Sequence, residues 1–144
     1  MLKAIFPLLL LVLLGCSSDA VPTPPAGDIV GAWEWQRTTG GLTGREETTP
    51  ASTGARVTLE LYADEQYAGF RDGQRVQEGT YALTRRESIY TQTEEPYITF
   101  TPTGEGGNEP LYGVFSGIIA VDSTDQLTLS DNNYDGFGSR FTRR

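Results

Sequence analysis

The sequence predicts an all-β domain: an antiparallel meander of about eight or nine short strands that closes into a barrel. Three observations carry this. Thr, Val, Tyr and Phe recur from residue 29 onward, and no stretch repeats apolar residues at the helical spacing. Val57, Leu59 and Leu61 alternate with Thr58, Glu60 and Tyr62, the two-residue period of a half-buried strand. Asp72-Gly73 stands between two strand-like runs, and this pair suits a two-residue hairpin turn because both positions need positive φ.

Taken in order, Ile29–Thr38 is the first strand, with Trp33 and Trp35 on one face. Arg56–Ala63 is the clearest amphipathic strand, and Ala63-Asp64-Glu65 turns it into Gln66–Arg71. After Asp72-Gly73 comes Gln74–Thr84, where Tyr81 and Leu83 share a face and Gly79 suggests a bulge. Ser88–Thr91 and Tyr97–Thr101 follow as strands separated by Glu94-Glu95-Pro96, then a Gly-rich loop over Thr103–Pro110. Leu111–Val121 is apolar on both faces and reads as a buried strand. Asp122–Asp125 turns it into Gln126–Ser130, with Leu127 and Leu129 inward. Asp131–Gly138 reads as a loop and Ser139–Arg143 as the last strand. Outward positions carry Thr, Glu, Gln and Arg, which excludes a lipid-facing transmembrane barrel.

Two segments precede this domain. Residues 1–15 combine Lys3 with an apolar run from Ile5 to Leu14, the pattern of an export signal too short to anchor in a bilayer. Residues 16–28 hold three prolines and several small residues with no apolar periodicity, the composition of an extended tether. Leu13-Leu14-Gly15-Cys16 resembles the lipobox of bacterial lipoproteins. That resemblance implies cleavage before Cys16, diacylation of its thiol and acylation of the new amine. Cys16 is the only cysteine, so no intramolecular disulfide competes for it. Multiple acylation is what stable anchoring requires. By the sorting pattern of the lipoproteins it resembles, Ser17 in place of Asp after the cysteine implies the bacterial outer membrane, so the expected partner at this end is the membrane itself.

Gly31-Ala32-Trp33, opening a run of short antiparallel strands over residues 29–144, resembles lipocalin-like barrels. Leu129-Ser130-Asp131, then Tyr134-Asp135-Gly136-Phe137-Gly138, then Phe141-Thr142-Arg143, is similar to the ending of small lipocalin-like lipoproteins of unassigned function. The resemblance implies that Trp33 plugs one end of the barrel, after Gly31, and that a late arginine lies across its indole. Strand alternation puts Phe141 and Arg143 on one face, and Phe141 marks that face as inward, so Arg143 is the arginine with the right phase to stack on Trp33, with Trp35 as the alternative indole. The resemblance also implies that the first long loop lies across the open mouth. Here that loop is Thr39–Gly54, whose only large apolar residue is Leu42. Leu42, Trp35, Tyr81 and Phe100 are therefore the expected contacts for a small apolar or amphipathic ligand.

Little catalytic chemistry is available. The chain has no histidine and one cysteine, which removes Ser-His-Asp and Cys-His nucleophiles and His/Cys metal sites. Nothing in the sequence pairs its carboxylates, so no enzymatic activity and no cofactor is expected. The formal charge of −8, one unit more negative without Lys3, repels nucleic acid. Asp131, Asn133 and Asp135 before Gly136 match the first ligands of a calcium loop, but the twelfth position is Thr142 where such loops need a bidentate Glu. A turn rich in Asn, Asp and Gly accounts for the same residues. Two functions follow from the sequence. The first is an envelope lipoprotein that binds a small apolar or amphipathic ligand in its barrel. The alternative is a protein-interaction or inhibitor module of the envelope, its barrel filled by side chains and holding no ligand.

Overall fold

The computed structural model describes residues 29–103 and 110–144. Cys16 and the segments expected to be an export signal and a tether lie outside the described residues, as do residues 104–109 of the expected Gly-rich loop. Nine strands run in chain order: β1 (Gly31–Gly40), β2 (Glu46–Thr48), β3 (Val57–Leu61), β4 (Gln66–Arg71), β5 (Gln74–Glu87), β6 (Glu94–Pro102), β7 (Gly117–Val121), β8 (Gln126–Ser130) and β9 (Phe137–Arg143). One short helix, α1 (Pro50–Thr53), precedes β3. Every pairing is antiparallel between neighbours, and β9 returns to pair with β1. All strands but β2 therefore form a closed eight-stranded barrel, in which no full-length edge is left unpaired.

β1 is long enough to serve three partners. Its first half pairs with β3 from Gly31↔Leu61 to Glu34↔Thr58, and its end pairs with β2 from Thr38↔Thr48 to Gly40↔Glu46. Along its other edge it pairs with β9 from Trp33↔Arg143 to Gly40↔Phe137, with a bulge between Trp35 and Arg37. The core is the inward set of alternating residues: Trp33, Trp35, Val57, Leu59, Leu61, Tyr67, Ile98, Leu127, Leu129 and Phe141, each at most 1% exposed. Burial of aromatic and branched side chains at about 1.5–3 kcal/mol each is what closes the barrel.

Four sequence expectations are corrected. Thr39–Gly54 is not an open loop, because β1 runs on to Gly40 and folds back as β2 through Gly41 and Gly44, both at positive φ. Thr49 then caps α1, its side chain accepting from the Ser52 N–H, and Gly54 ends it in the left-handed region. Ser88–Thr91 is a turn, since the Ser88 hydroxyl accepts from the N–H groups of Tyr90 and Thr91 and Gln92 takes φ 55°. Leu111–Val121 is a strand only from Gly117; residues 111–116 fold as turns around Gly113 at φ 76°. Gly79 sits in register between Tyr67 and Pro102 instead of forming a bulge, and the shift on β4 falls between Gly69 and Phe70. A Cβ at Gly79 would stand 2.2 Å from the Thr101 carbonyl oxygen, so close approach explains the glycine.

Candidate functional site

The end of the barrel where β1 begins is closed by Trp33 and Arg143. The Arg143 guanidinium carbon lies 4.2 Å from the Trp33 ring centroid, and its Nη1 donates to the Val30 carbonyl at 2.9 Å. Its Nε pairs with Asp125 at 2.8 Å. The indole N–H of Trp33 donates to the Ile29 carbonyl at 2.7 Å, which folds the entering chain across this end. Gly31 belongs to the same arrangement, because a Cβ there would stand 2.7 Å from Arg143 Nη1. Phe141, fully buried, fills the space beside them.

The mouth near Thr38 is closed differently. Segment 110–116 folds into it as a plug. Leu111 is 5% exposed and occupies the gap left by Gly69, where a Cβ would meet the leucine at 1.9 Å. Tyr112 stacks on Trp35 at 5.7 Å between centroids and 16° between planes. Arg71, on the inward phase of β4, lies 5.8 Å over the Tyr112 ring and donates to the Pro110 carbonyl at 2.9 Å. Gly113 lets the plug backbone rest directly on Trp35 and Thr38. The Trp35 indole donates to the Thr38 hydroxyl at 2.9 Å, and that hydroxyl also bonds Ser139 at 2.8 Å. Val114 and Phe115 pack on the core beneath, and Ser116 accepts the Phe100 N–H.

Among the described residues, the expected ligand contacts therefore do not converge on an open cup. Leu42 is 80% exposed at the tip of the β1–β2 hairpin, because the tight return of that hairpin holds it clear of the mouth. Leu111 takes the place envisaged for it. Trp35 is buried under the plug, while the Tyr81 hydroxyl donates to the Tyr62 carbonyl at 2.7 Å. Phe100 packs edge-on to Tyr67 at 4.9 Å. Tyr67 was not anticipated, yet its hydroxyl is buried with no hydrogen-bond partner among the described residues. Burial pushes the Tyr67 phenol up from its ordinary pKa, and burial with Glu65 and Asp64 does the same to Tyr81. Its shared phase with Gly69 and Arg71 is the sequence signal that marks this row.

The Asp131–Gly136 loop is occupied with its own structure. Asn133 donates its amide to Asp131, and the Gly136 N–H donates to the Asn133 carbonyl. Asn132 clamps the β5–β6 turn, accepting from the Ile89 N–H and donating to the Glu87 carbonyl. Among the described residues no group of three His, Cys, Asp or Glu is placed to hold a metal ion. No helix among them is long and apolar enough to cross a membrane.

Described residues line at least two depressions. One of about 250 Å³ is apolar and lies where β6 and β7 diverge, between Leu83, Pro96, Ile119 and Val121, with Ile29 at its edge. A second, about 740 Å³ and more polar, lies on the outer face of β3 and β4 between α1 and the Asp72-Gly73 turn. No family model matches this chain, and no curated protein or solved structure does either.

Proposed function

We propose that this chain is a lipid-anchored protein of the bacterial outer membrane whose lipocalin-like barrel is a filled scaffold. It recognises another component of the envelope through its outer surface and loops. The observation that carries this reading is the packing of the interior. Trp33, Trp35, Tyr67 and Phe141 are at most 1% exposed, one end is sealed by Arg143 and the other by the 110–116 plug. A ligand of ordinary size needs a cavity of roughly 300–1,000 Å³, and among the described residues Leu111 and its neighbours occupy the mouth of the barrel. The lipobox-like Leu13–Cys16 supports the anchor, and the acidic charge argues against nucleic acid as the partner.

Tyr67 supports a second reading, a small amphipathic ligand bound in the mouth. A buried hydroxyl without a partner costs about 1–3 kcal/mol, and a ligand oxygen beside Phe100 would remove that cost. Native mass spectrometry of the protein purified from its own membrane separates the two. The scaffold reading expects the mass of the acylated chain without a small-molecule adduct, together with a co-purifying envelope component after crosslinking. A stoichiometric adduct that disappears in Tyr67→Phe would replace it with the ligand reading.

A further inference from the structure

We propose that the groove on the outer face of β3 and β4 binds a neutral oligosaccharide, an inference that rests on the scaffold reading and names the component recognised. Strand alternation builds the floor. Val57, Leu59 and Leu61 point into the barrel, so Thr58 and Glu60 point out. Thr58 stands in register between Glu34 on β1 and Phe70 on β4, so Thr58 and Phe70 are neighbours on the outer face. Two features raise walls on this convex surface: the capped turn of α1 with Gly54, and the Asp72-Gly73 hairpin turn. The hairpin wall is held in place because the Arg56 N–H donates to the Asp72 carboxylate at 2.9 Å and the Asp72 N–H returns to the Arg56 carbonyl at 2.8 Å. Arg144 closes one margin, its N–H donating to the Ala32 carbonyl at 2.9 Å.

Three properties of the lining select the ligand. The first is a hydroxyl in the lining. Thr58 is 7% exposed and lines the groove. A hydroxyl both donates and accepts, which matches a sugar hydroxyl better than a carboxylate or an ammonium. The second is charge balance. The lining carries Arg56 and Arg144 together with Glu60 and Asp72, two charges of each sign, and Arg56 is itself paired with Glu34 at 3.5 Å, so neither an anion nor a cation is preferred, although the protein as a whole is acidic. The third is Phe70, half-buried at the floor and braced by the Arg75 guanidinium 5.6 Å from its ring. The negative face of an aromatic ring attracts the weakly positive C–H face of a pyranose. A volume of about 740 Å³ accommodates two or three such rings.

The test uses the full acylated chain in detergent micelles against chitotriose, cellotriose, maltotriose and a uronic-acid trisaccharide, read by calorimetry and by saturation-transfer NMR. At least one neutral trisaccharide is expected to bind with Kd below about 10 mM, and the uronic acid more weakly. Thr58→Val keeps the shape and removes the hydroxyl, and should weaken that binding by about tenfold, the effect of one lost hydrogen bond. Phe70→Leu should weaken it at least as much. Both variants should keep the circular dichroism spectrum of the parent, which separates lost binding from lost folding. Silence of all three neutral sugars, a preference for the uronic acid, or undiminished binding in both variants overturns the inference. A crosslinked protein partner found alongside silent sugars leaves the scaffold reading standing and removes only the saccharide. A stoichiometric small-molecule adduct by native mass spectrometry removes the scaffold reading instead.

Discussion

Arg143→Ala tests whether one cation closes the barrel. Three interactions with other described residues are lost together. The stack on Trp33 is worth roughly 0.5–2 kcal/mol, and the middle of that range applies because the arginine side chain is 31% exposed. The charged hydrogen bond to the Val30 carbonyl adds about 1.5 kcal/mol. The Asp125 pair adds no more than about 0.5 kcal/mol, since that carboxylate is 68% exposed and screened. The expected loss is about 3 kcal/mol, at the lower end of the roughly 3–5 kcal/mol expected for Trp33→Ala as a large core truncation. Urea unfolding followed by far-ultraviolet circular dichroism measures both, free of the fluorescence change caused by removing an indole. Arg143→Lys keeps the charge but loses the planar fork, and should recover less than half of the loss. A loss under about 0.5 kcal/mol for Arg143→Ala, or strict additivity of the Arg143 and Trp33 changes, would refute the closure argument.

Tyr67→Phe removes a buried hydroxyl without a partner, so it should leave stability unchanged or raise it by up to about 1 kcal/mol; a loss larger than that would reveal a partner for the oxygen. The raised phenol pKa values of Tyr67 and Tyr81 stabilise the fold fully below the unfolded value of 10.0, and that stability is lost as pH rises through their folded values. Alkaline titration should therefore show unfolding that begins above about pH 10 and starts later in Tyr67→Phe; coincident curves for the two proteins would count against burial as the cause. Leu111→Ala should cost about 2–4 kcal/mol and shift Trp35 emission to the red as the plug loosens, whereas an unchanged spectrum would mean that the plug holds without its leucine. Cys16→Ser should move the protein to the soluble fraction, and persistence on the membrane after a carbonate wash would contradict the lipid anchor.

How much was legible depended on whether periodicity or packing shaped a segment. Gln66–Arg71 and Gln126–Ser130 form the strands their boundaries suggested, and Val57–Leu61 the core of one, because alternation and turn residues agree there. The phase of β9 was legible for the same reason, and it placed Arg143 on the side of Trp33. The plug was not. Leu111, Val114 and Phe115 are apolar because they fold into the mouth, and an apolar run without a period reads equally as a buried strand. Gly113 inside that run was the available sign of a turn. The 39–54 segment also carried readable signals: Thr49-Pro50 before Ser52 is a helix start, and Gly54 a stop. The β1–β2 hairpin had no such pattern, since its pairing depends on β1 outrunning β3. The outer groove arises from what stands beside Thr58 across two strands, which no local pattern encodes.

The weakest line of the barrel is the seam between β6 and β7, and hydrogen exchange should find it. Only Tyr97↔Ile118 and Ile98↔Gly117 pair across it, whereas β5 and β6 pair continuously from Gly79↔Pro102 to Glu87↔Glu94. Two sequence features shorten the ladder. Pro96 has no N–H to offer, and the Phe100 N–H is taken by the Ser116 hydroxyl. Beyond the two pairs the strands diverge around the apolar depression that Leu83, Ile119 and Val121 line. Opening there breaks few backbone hydrogen bonds, while opening β3 from β4 breaks a ladder that runs from Val57↔Arg71 to Leu61↔Tyr67 over fully buried side chains. Local opening free energies follow such differences. Those amides of Ile119–Val121 that are not bonded to β8 should exchange about a hundredfold faster than the amides of β3, a gap of roughly 2.7 kcal/mol. Uniform protection around the barrel would refute this. Fastest exchange in the 110–116 plug alone, with the seam as slow as β3, would move the point of opening from the seam to the mouth and favour entry of a ligand past Leu111.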